Sequence, residues 1–298
     1  MNKSGSPYFP KPLSAGTVGD LLAGCTSLLE SEGLPDAGRE AREILAAILD
    51  VPKFWAAANS VSDASPDVAR AVFQAAMKRA SGAPLAYAVG RASFRHLTLD
   101  VDERVLIPRV ETELLVERVL ERCTRETQRI ADVGTGSGAI ALSLAFEQSF
   151  ERIIATDISL DALDVARKNA EALSAVLKSP VEFRPGALLA PLAGERLDAI
   201  ISNPPYISFV EMAELPPDVR DWEPCLALIC PQDGLAVTRQ IVAEAPGILK
   251  QDGILALEVD MRRAGSVAEL VSVDRRYKDV EVLLDLSGRE RFVFARRA

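Results

Sequence analysis

A stiff, polar corner at residues 202–206, "SNPPY", is the stretch of this chain best suited to chemistry. The apolar run just before it is typical of a buried strand, so the corner is expected where that strand ends. Pro204 and Pro205 fix two φ angles and have no N–H group, which leaves their carbonyl oxygens as rigidly held acceptors. Asn203 adds a side-chain acceptor, and Tyr206 adds a flat ring and a hydroxyl.

These groups suit a planar NH2 group that is conjugated to a carbonyl or a ring. Two acceptors can hold its two hydrogens while an aromatic face fixes its plane. The nitrogen is a poor nucleophile because its lone pair is delocalised, and holding both hydrogens favours the charge that builds up on attack. If the electrophile is a sulfonium methyl, the attack is in line and requires no acid or base residue. A plain Pro-Pro loop is the simpler alternative, but it leaves the neighbouring glycine loop unexplained.

A glycine-rich loop, "ADVGTGSGAIAL", follows an apolar strand and opens a helix. Gly134, Gly136 and Gly138 lack the Cβ atoms that would block a ligand on the backbone, and the helix start offers free N–H groups. Downstream, "RIIATD" ends in Asp157, which is placed to bind ribose hydroxyls. The loop alone fits a dinucleotide, S-adenosyl-L-methionine or a turn that only packs the helix on the strand. The corner at residues 202–206 favours S-adenosyl-L-methionine.

Alternating strand and helix patterns position both motifs. From about residue 110, short apolar runs alternate with amphipathic segments. This pattern predicts an α/β fold with a doubly wound, mostly parallel sheet and helices on both faces. Ligands of such sheets bind at the carboxyl ends of the strands, where the glycine loop, Asp157 and the corner all fall. The tail predicts two more strands around Gly288, which form an antiparallel edge.

The N-terminal part of the chain predicts a second, helical domain. Residues 17–80 carry apolar residues at helical spacing, and residues 1–16 are rich in Pro, Gly and Ser, which indicates a loose arm. The segment "ASFRHLTLDVDERVLIP" then changes to an alternating pattern and predicts a hairpin. The predicted divisions are a helical domain over residues 1–85, a β-hairpin linker over residues 86–108 and the α/β domain over residues 109–298.

Composition and charge exclude several classes of protein. The chain has 298 residues, a formal net charge of −9 and a pI of about 4.9, which opposes broad binding to nucleic acid. A single histidine, His96, argues against a His triad or a multi-His metal site, so no metal is expected. The N-terminus lacks a signal-peptide core, and no stretch approaches the roughly 18 apolar residues of a membrane span. Four cysteines without zinc-like spacing indicate reduced thiols and a cytoplasmic protein.

Eight segments between about residues 80 and 260 occur in one family's order. They are "GAPLAYAVG", "VLIPRVETELLVE", "DVGTGSGAIALSLA", "ATDISLDALDVARKNA", "SNPPYI", "DVRDWEP", "DGL" and "LALEV". With them the chain resembles the release factor glutamine methyltransferases, the PrmC/HemK family of class I, Rossmann-like methyltransferases. The resemblance implies transfer of a methyl group from S-adenosyl-L-methionine to N5 of the glutamine in the Gly-Gly-Gln motif of peptide chain release factors. It also implies that the helical domain recognises this protein partner, with no direct binding of nucleic acid or membrane.

The resemblance implies that the glycine loop and the acids beside it bind the cofactor. Gly134, Gly136 and Gly138 would hold the methionine part of S-adenosyl-L-methionine with Asp132 nearby, and Asp157 would bind the ribose. The cofactor-binding set implied by the family also includes Thr135, Ile158, Ala187, Asn203, Arg109 and Thr112.

The resemblance implies that the corner is the catalytic and substrate-binding element. Asn203 and the Pro204 carbonyl would hold the side-chain amide of the substrate glutamine. Tyr206 would pack against that amide, Pro205 completes the corner, and Glu111 would also contact the substrate.

Several positions depart from the family pattern. Val110 replaces the usual proline, and Ala187 replaces an acid near the adenine. Ala86 replaces a common glutamine, and the segments "CPQ" and "LEVD" are also altered. The change at Ala187 removes one expected contact with the adenine, whereas Asn203 and Asp157 are unaffected.

Some polar residues have no single interpretation. Asp218, Arg220 and Glu223 in "DVRDWEP" fit the mouth of a substrate site or a local ion pair equally well. Glu258 ends a strand at the functional edge, where a role in the site is possible. His96 is expected to be structural.

Two other functions remain open from the residues. An N6-adenine methyltransferase that acts on DNA or RNA would share the corner and the glycine loop. Such an enzyme needs a basic region to bind nucleic acid, and a net charge of −9 argues against one. A non-catalytic binding protein with the same fold would explain Ala187 and the altered segments.

Overall fold

The computed structural model of the protein describes residues 16–123 and 128–298. The loose arm predicted for residues 1–16 therefore lies, except for Gly16, outside the described residues. The described chain forms two compact units that divide between Arg91 and Ala92. Within the described ranges, no helix is both long and apolar enough to cross a membrane.

The N-terminal unit consists of helices whose ends match their sequence signals. Thr17 caps the first helix in a capping box with Asp20, and Ser65 caps the fourth by accepting from Val68 N. A buried acid, Glu40, is paired with Arg79 through both carboxylate oxygens. The helices are α1 (Val18–Ser31), α2 (Ala37–Leu49), α3 (Trp55–Ala58), α4 (Pro66–Ala80) and α5 (Leu85–Val89).

A two-stranded hairpin and an α/β unit follow. The hairpin strands are β1 (Arg91–Phe94) and β2 (Leu97–Asp100). The helices after it are α6 (Val110–Arg122), α7 (Ala139–Glu147), α8 (Leu160–Ala172), α9 (Pro217–Trp222), α10 (Cys225–Leu228), α11 (Ala236–Glu244) and α12 (Ala264–Val273). The strands are β3 (Arg129–Val133), β4 (Arg152–Asp157), β5 (Val181–Pro185), β6 (Leu197–Ser202), β7 (Leu249–Glu258), β8 (Tyr277–Leu284) and β9 (Glu290–Arg297).

These seven strands form one sheet in the order β5-β4-β3-β6-β7-β9-β8. The strands from β5 to β7 are parallel, whereas β9 is antiparallel to both β7 and β8. The predicted fold class and the antiparallel tail are therefore confirmed. The last strand, β9, inserts between β7 and β8, so β8 forms the edge of the sheet.

Both faces of the sheet are buried, which explains the continuous apolar runs of its central strands. Along β6, Ala199 and Ile201 face a core with α6 and α7, and Ile200 faces a second core with α11 and α12. Because neither face is polar, the functional side chains of these strands lie at or near their carboxyl ends and in the loops that follow.

A buried asparagine on α8 connects the hairpin to the glycine loop. The Asn169 side chain accepts from Asp100 N at 2.8 Å and donates to Asp100 O at 3.0 Å. It also donates to the Ser137 carbonyl oxygen at 2.9 Å. One carboxamide therefore satisfies backbone groups of β2 and of the loop that follows β3.

We expect Asn169→Ala to lower the free energy of unfolding by about 3 kcal/mol, because it leaves several buried backbone groups unpaired. Urea unfolding measures this change. Lys168→Ala, at the exposed neighbouring position, is the matched control and should change stability by less than about 0.5 kcal/mol. Equal stabilities of the two variants would show that the Asn169 hydrogen bonds contribute nothing.

Candidate active site

The candidate site lies where the parallel strands β3, β4 and β6 end together. Val133 at the end of β3 pairs with Thr156 of β4 and with Ser202 of β6. The Ser202 hydroxyl donates to the Val133 carbonyl oxygen at 2.7 Å. The strand register therefore brings the glycine loop, Asp157 and the corner at residues 202–206 to one edge, as the sequence predicts.

The glycine loop has backbone angles that favour glycine at three positions. Gly134, Gly136 and Gly138 have φ angles of 76°, 55° and 86°. A Cβ at Gly138 would touch Leu142, so this glycine permits close packing of α7. A Cβ at Gly134 or Gly136 would have no described atom within 4 Å. The first two glycines therefore border open space above the backbone, where a ligand can lie.

Asp157 is tied to the loop through its carboxylate. Its Oδ2 accepts from Gly136 N at 2.9 Å, and its Oδ1 accepts from Ser159 N at 2.9 Å. Burial raises the pKa of Asp157, although these backbone N–H groups oppose the shift. The next residue, Ile158, is 57% exposed, so an apolar side chain stands beside the acid. Ala187, after β5, is also exposed.

Asp132 is a fully buried acid below the loop. Its Oδ2 accepts from the Thr135 hydroxyl at 2.6 Å and from Ala141 N at 3.2 Å. Its Oδ1 has no partner among residues 16–123 and 128–298. Burial raises the pKa of Asp132 to about 7. A buried acceptor without a donor, two residues before the first glycine of the loop, fits a positively charged group of a ligand.

The corner holds Asn203 in a defined orientation. The Asn203 Nδ2 donates to the Thr112 hydroxyl at 3.1 Å, and none of the described residues donates to its Oδ1. Pro204 is buried, and Tyr206 is half-buried. Burial, and next the charge of Glu258, raise the pKa of Tyr206 to about 12, so its hydroxyl remains protonated at neutral pH. The corner thus presents acceptors and a neutral aromatic ring.

The backbone after the corner is fixed from two sides. Ile207 N donates to Leu228 O at 3.0 Å, and Cys230 N donates to Ile207 O at 2.8 Å. Behind the corner lies Gly234, with a φ of 81°, where an added Cβ would clash with the Tyr206 carbonyl oxygen. Only glycine fits this position without displacing the corner.

The corner forms one side of a cleft of about 650 Å³. Asn203, Pro204, Pro205 and Tyr206 line it, and Glu258 at the end of β7 lies beside them. Four arginines and several acids share the wall with apolar side chains such as Leu106, Leu215 and Leu228. The charged lining residues are Arg109, Arg262, Arg289, Arg291, Glu111, Glu211, Glu214 and Asp260.

An ion pair that the sequence pattern did not predict fixes the segment before α6. Arg109 donates through Nη2 to Glu223 Oε1 at 2.6 Å, and Ile107 N donates to Glu223 Oε2 at 3.3 Å. Glu223 is buried, which raises the pKa of its carboxyl. By contrast, Arg220 pairs with its exposed neighbour Asp221. Within "DVRDWEP", it is therefore Glu223 that forms an ion pair with the segment before α6, through Arg109.

Thr112, in the first turn of α6, lies beneath the corner and is buried. Its hydroxyl accepts from Asn203, and it lowers the pKa of the buried Glu258 carboxyl. Its predicted contact with the cofactor stays a prediction, as do the other assignments of site residues. Glu111, the neighbouring residue, lines the cleft.

The fold and this edge define a class I methyltransferase. A mostly parallel sheet contains the antiparallel strand β9 beside its edge strand. A glycine loop and an acid lie at the ends of adjacent strands, and a rigid corner of acceptors follows a third. Residues 109–214 match the methyltransferase small domain, and residues 20–90 match the PrmC N-terminal domain.

Curated relatives identify the family. The release factor glutamine methyltransferase of Deinococcus radiodurans is 40% identical over 281 residues, which are 94% of this chain and 98% of the relative. That of Moorella thermoacetica is 45% identical over 234 residues, which are 78% of this chain and 82% of the relative. The chain therefore belongs to the release factor glutamine methyltransferase family, and the resemblance seen in the sequence is confirmed.

Solved structures agree on the fold. The hMettl16 catalytic domain in complex with MAT2A 3′UTR hairpin 1 has a TM-score of 0.55 and 20% sequence identity. The match covers 75% of this chain and 80% of that one. At this identity the likeness concerns the arrangement of helices and strands.

We expect Asp132→Asn to raise the free energy of unfolding at pH 8 by on the order of 1 kcal/mol, because it removes a buried charge. The folded-state pKa of about 7 lies above the ordinary 3.8, so the stability from Asp132 is lost as pH rises through about 7. The same change should weaken binding of S-adenosyl-L-methionine by about tenfold or more. Urea unfolding and calorimetry measure the two effects.

Asp198→Asn is the matched control for this substitution. Asp198 accepts from Arg129 N and Lys250 Nζ near the start of β6, at the opposite edge of the sheet. Its substitution should not increase stability and should leave the affinity for S-adenosyl-L-methionine unchanged. Identical behaviour of both variants would contradict the role of the unpaired Asp132 oxygen.

We expect Gly234→Ala to destabilise the protein by about 2 kcal/mol and to slow methyl transfer, because the new methyl group pushes on the Tyr206 carbonyl and φ is positive. Gly265→Ala, on α12 with no described atom within 4 Å of the added Cβ, should leave activity intact and stabilise slightly. Urea unfolding and the transfer rate are the measurements. If Gly234→Ala has the stability and the transfer rate of the wild type, the corner does not need this glycine.

Proposed function

We propose that the protein transfers a methyl group from S-adenosyl-L-methionine to N5 of the glutamine in the Gly-Gly-Gln motif of peptide chain release factors. The observation that carries this proposal is the orientation of Asn203. Its NH2 group is bound by Thr112, so the oxygen remains to accept from a substrate NH2 group. Membership of the release factor glutamine methyltransferase family supports the choice of substrate.

The corner favours the transition state through its acceptors. As the substrate nitrogen attacks, its two hydrogens become more positive, and Asn203 Oδ1 and the Pro204 carbonyl bind them more strongly. Proline has no N–H group, so this part of the backbone carries no donor that would repel the substrate NH2 group. The Tyr206 ring limits rotation of the amide plane. Together these groups hold the nitrogen lone pair along one direction of attack.

The glycine loop and its acids are proposed to hold the cofactor. Asp132 offers its unpaired oxygen to the ammonium group, and Asp157 offers its carboxylate to ribose hydroxyls. The exposed Ile158 provides an apolar surface for the adenine ring. When bound, S-adenosyl-L-methionine supplies an electrophilic methyl group on a sulfonium. The N–C bond would form as the C–S bond breaks, with the C–S electron pair remaining on the sulfur of the departing thioether. The nitrogen would then lose a proton to solvent water.

The protein partner is proposed to be the Gly-Gly-Gln domain of a release factor. Its target loop would enter the cleft beside the corner, and Glu111 in the wall would contact it. We assign its recognition to the helical domain over residues 1–85, with residues 86–108 as a linker to the methyltransferase domain over residues 109–298. A cytoplasmic location is proposed because the proposed substrate acts in translation.

Mass spectrometry tests the proposed function. The protein is incubated with a release factor and isotope-labelled S-adenosyl-L-methionine, and the methyl group is mapped on the digested substrate. We expect label on the Gly-Gly-Gln glutamine, and no label when that glutamine is replaced by glutamate. Label only on nucleic acid, or on another residue of the release factor, would sink the proposal.

We expect Asn203→Ala and Asp157→Ala to have opposite effects, so that each serves as control for the other. Asn203→Ala should reduce kcat by about 100-fold while the affinity for S-adenosyl-L-methionine stays near normal, because one well-aimed polar group is lost. Asp157→Ala should mainly weaken binding of the cofactor. Fixed-time methyl-transfer assays measure kcat, and calorimetry measures the affinity for S-adenosyl-L-methionine. Full activity of Asn203→Ala would rule out the role of the amide clamp.

A further inference from the structure

Three side chains from three separate elements lie together beneath the corner. Asn203 follows β6, Thr112 lies in the first turn of α6, and Glu258 ends β7. The Asn203 Nδ2 donates to the Thr112 hydroxyl at 3.1 Å, and this hydroxyl lowers the pKa of Glu258, which favours the carboxylate form of that residue. Asn203 and Glu258 both line the cleft.

The direction of these hydrogen bonds follows from the chemistry of each group. An ionised carboxylate only accepts, and a hydroxyl has a single hydrogen to donate. If Glu258 is ionised, Thr112 must donate to it and can then only accept from Asn203. Asn203 must therefore present its NH2 group to Thr112 and its oxygen to the cleft.

The reversed orientation of Asn203 would oppose the proposed reaction. A carboxamide has a donor end and an acceptor end of almost the same shape, so packing alone hardly distinguishes them. With the NH2 group toward the cleft, two NH2 groups would face each other and no hydrogen bond would form. A residue that fixes the orientation therefore controls catalysis without touching the substrate.

We propose that Glu258 is a positioning residue, which acts through Thr112 to hold the Asn203 carboxamide with its oxygen toward the substrate glutamine. This inference rests on the proposed function. Glu258 is 2% exposed, and its Oε2 has no partner in the described part of the chain. Such a buried, incompletely paired carboxylate costs stability, and its contact with Thr112 gives it a use.

The charged groups around Glu258 determine when it is ionised. Arg291 on β9 and Arg109 before α6 favour the carboxylate, whereas Glu111 on α6 opposes it. Tyr206 faces it from the corner as a neutral phenol. Burial is the largest effect and raises the pKa of Glu258 to about 7, from an ordinary 4.5. The ionised form is therefore lost as pH falls through about 7, and a protonated Glu258 can donate and release Thr112.

Substitutions of Thr112 test the relay at constant pH. Thr112→Val keeps the shape and removes the hydroxyl, and Thr112→Ser keeps the hydroxyl. We expect Thr112→Val to lower kcat, measured at saturating S-adenosyl-L-methionine, by about tenfold, which is the effect of one lost hydrogen bond. Thr112→Ser should restore most of kcat. Thr238→Val, at a buried threonine on α11 outside the cleft lining among the described residues, is the matched control and should keep kcat.

The pH profile of kcat tests Glu258 itself. At saturating S-adenosyl-L-methionine, wild-type kcat should fall as pH decreases through about 7. Glu258→Gln cannot ionise, so its kcat should not fall over the same range. If kcat of Glu258→Gln still falls as pH decreases through about 7, the loss of activity comes from another group, such as Asp132. That result would overturn the proposal. Circular dichroism of each variant checks that it is folded.

The outcomes separate this inference from the proposed function. If the wild-type protein does not methylate the Gly-Gly-Gln glutamine, the proposed function fails before any variant is compared. If the wild type methylates it and Thr112→Val retains full kcat, only the relay is wrong. If Thr112→Val and Thr112→Ser lose kcat equally, the position matters for packing, and the relay is again wrong.

Discussion

The hydrogen bond from Asn203 to Thr112 is the interaction on which the proposed chemistry depends. A carboxamide nitrogen attacks poorly because its lone pair is delocalised, so the protein must hold both of its hydrogens in a fixed plane. That requires two acceptors in fixed positions and no donor beside them. The prolines of the corner supply carbonyl groups without N–H groups, and the hydrogen bond to Thr112 leaves the Asn203 oxygen as the second acceptor.

The parallel sheet makes this arrangement possible because several strands end at one edge. The register of β3, β4 and β6 aligns the glycine loop, Asp157 and the corner, and the Asp157 carboxylate accepts from Gly136 N of the loop. Ser202 joins the ends of β6 and β3, and Gly234 lets the chain pass directly behind Tyr206. Two acids at this edge, Asp132 and Glu258, are buried with an oxygen unpaired among the described residues. Buried, unpaired carboxylate oxygens lower the stability of the folded protein. Their occurrence together at one edge is typical of a ligand-binding site.

The sequence predicted what local patterns encode. Strand and helix periodicity predicted the mostly parallel sheet, and the confirmed antiparallel tail followed from the two apolar runs around Gly288. Contacts between distant segments carry no such local signal: Asn203 and Thr112 are 91 residues apart, and Arg109 and Glu223 are 114 apart. The partner of Glu223 was therefore left open by the sequence, as was the place of Glu258. The steric need for Gly234 also appears only when the corner and the loop before α11 are seen together.

The most direct measurement of the central claim is a crystal structure of the protein with S-adenosyl-L-methionine bound. The account predicts that the methyl carbon points toward the Asn203 side-chain oxygen, with space between them for a carboxamide group. A methyl carbon that points away from Asn203, or that leaves no room for an incoming side chain, would contradict it.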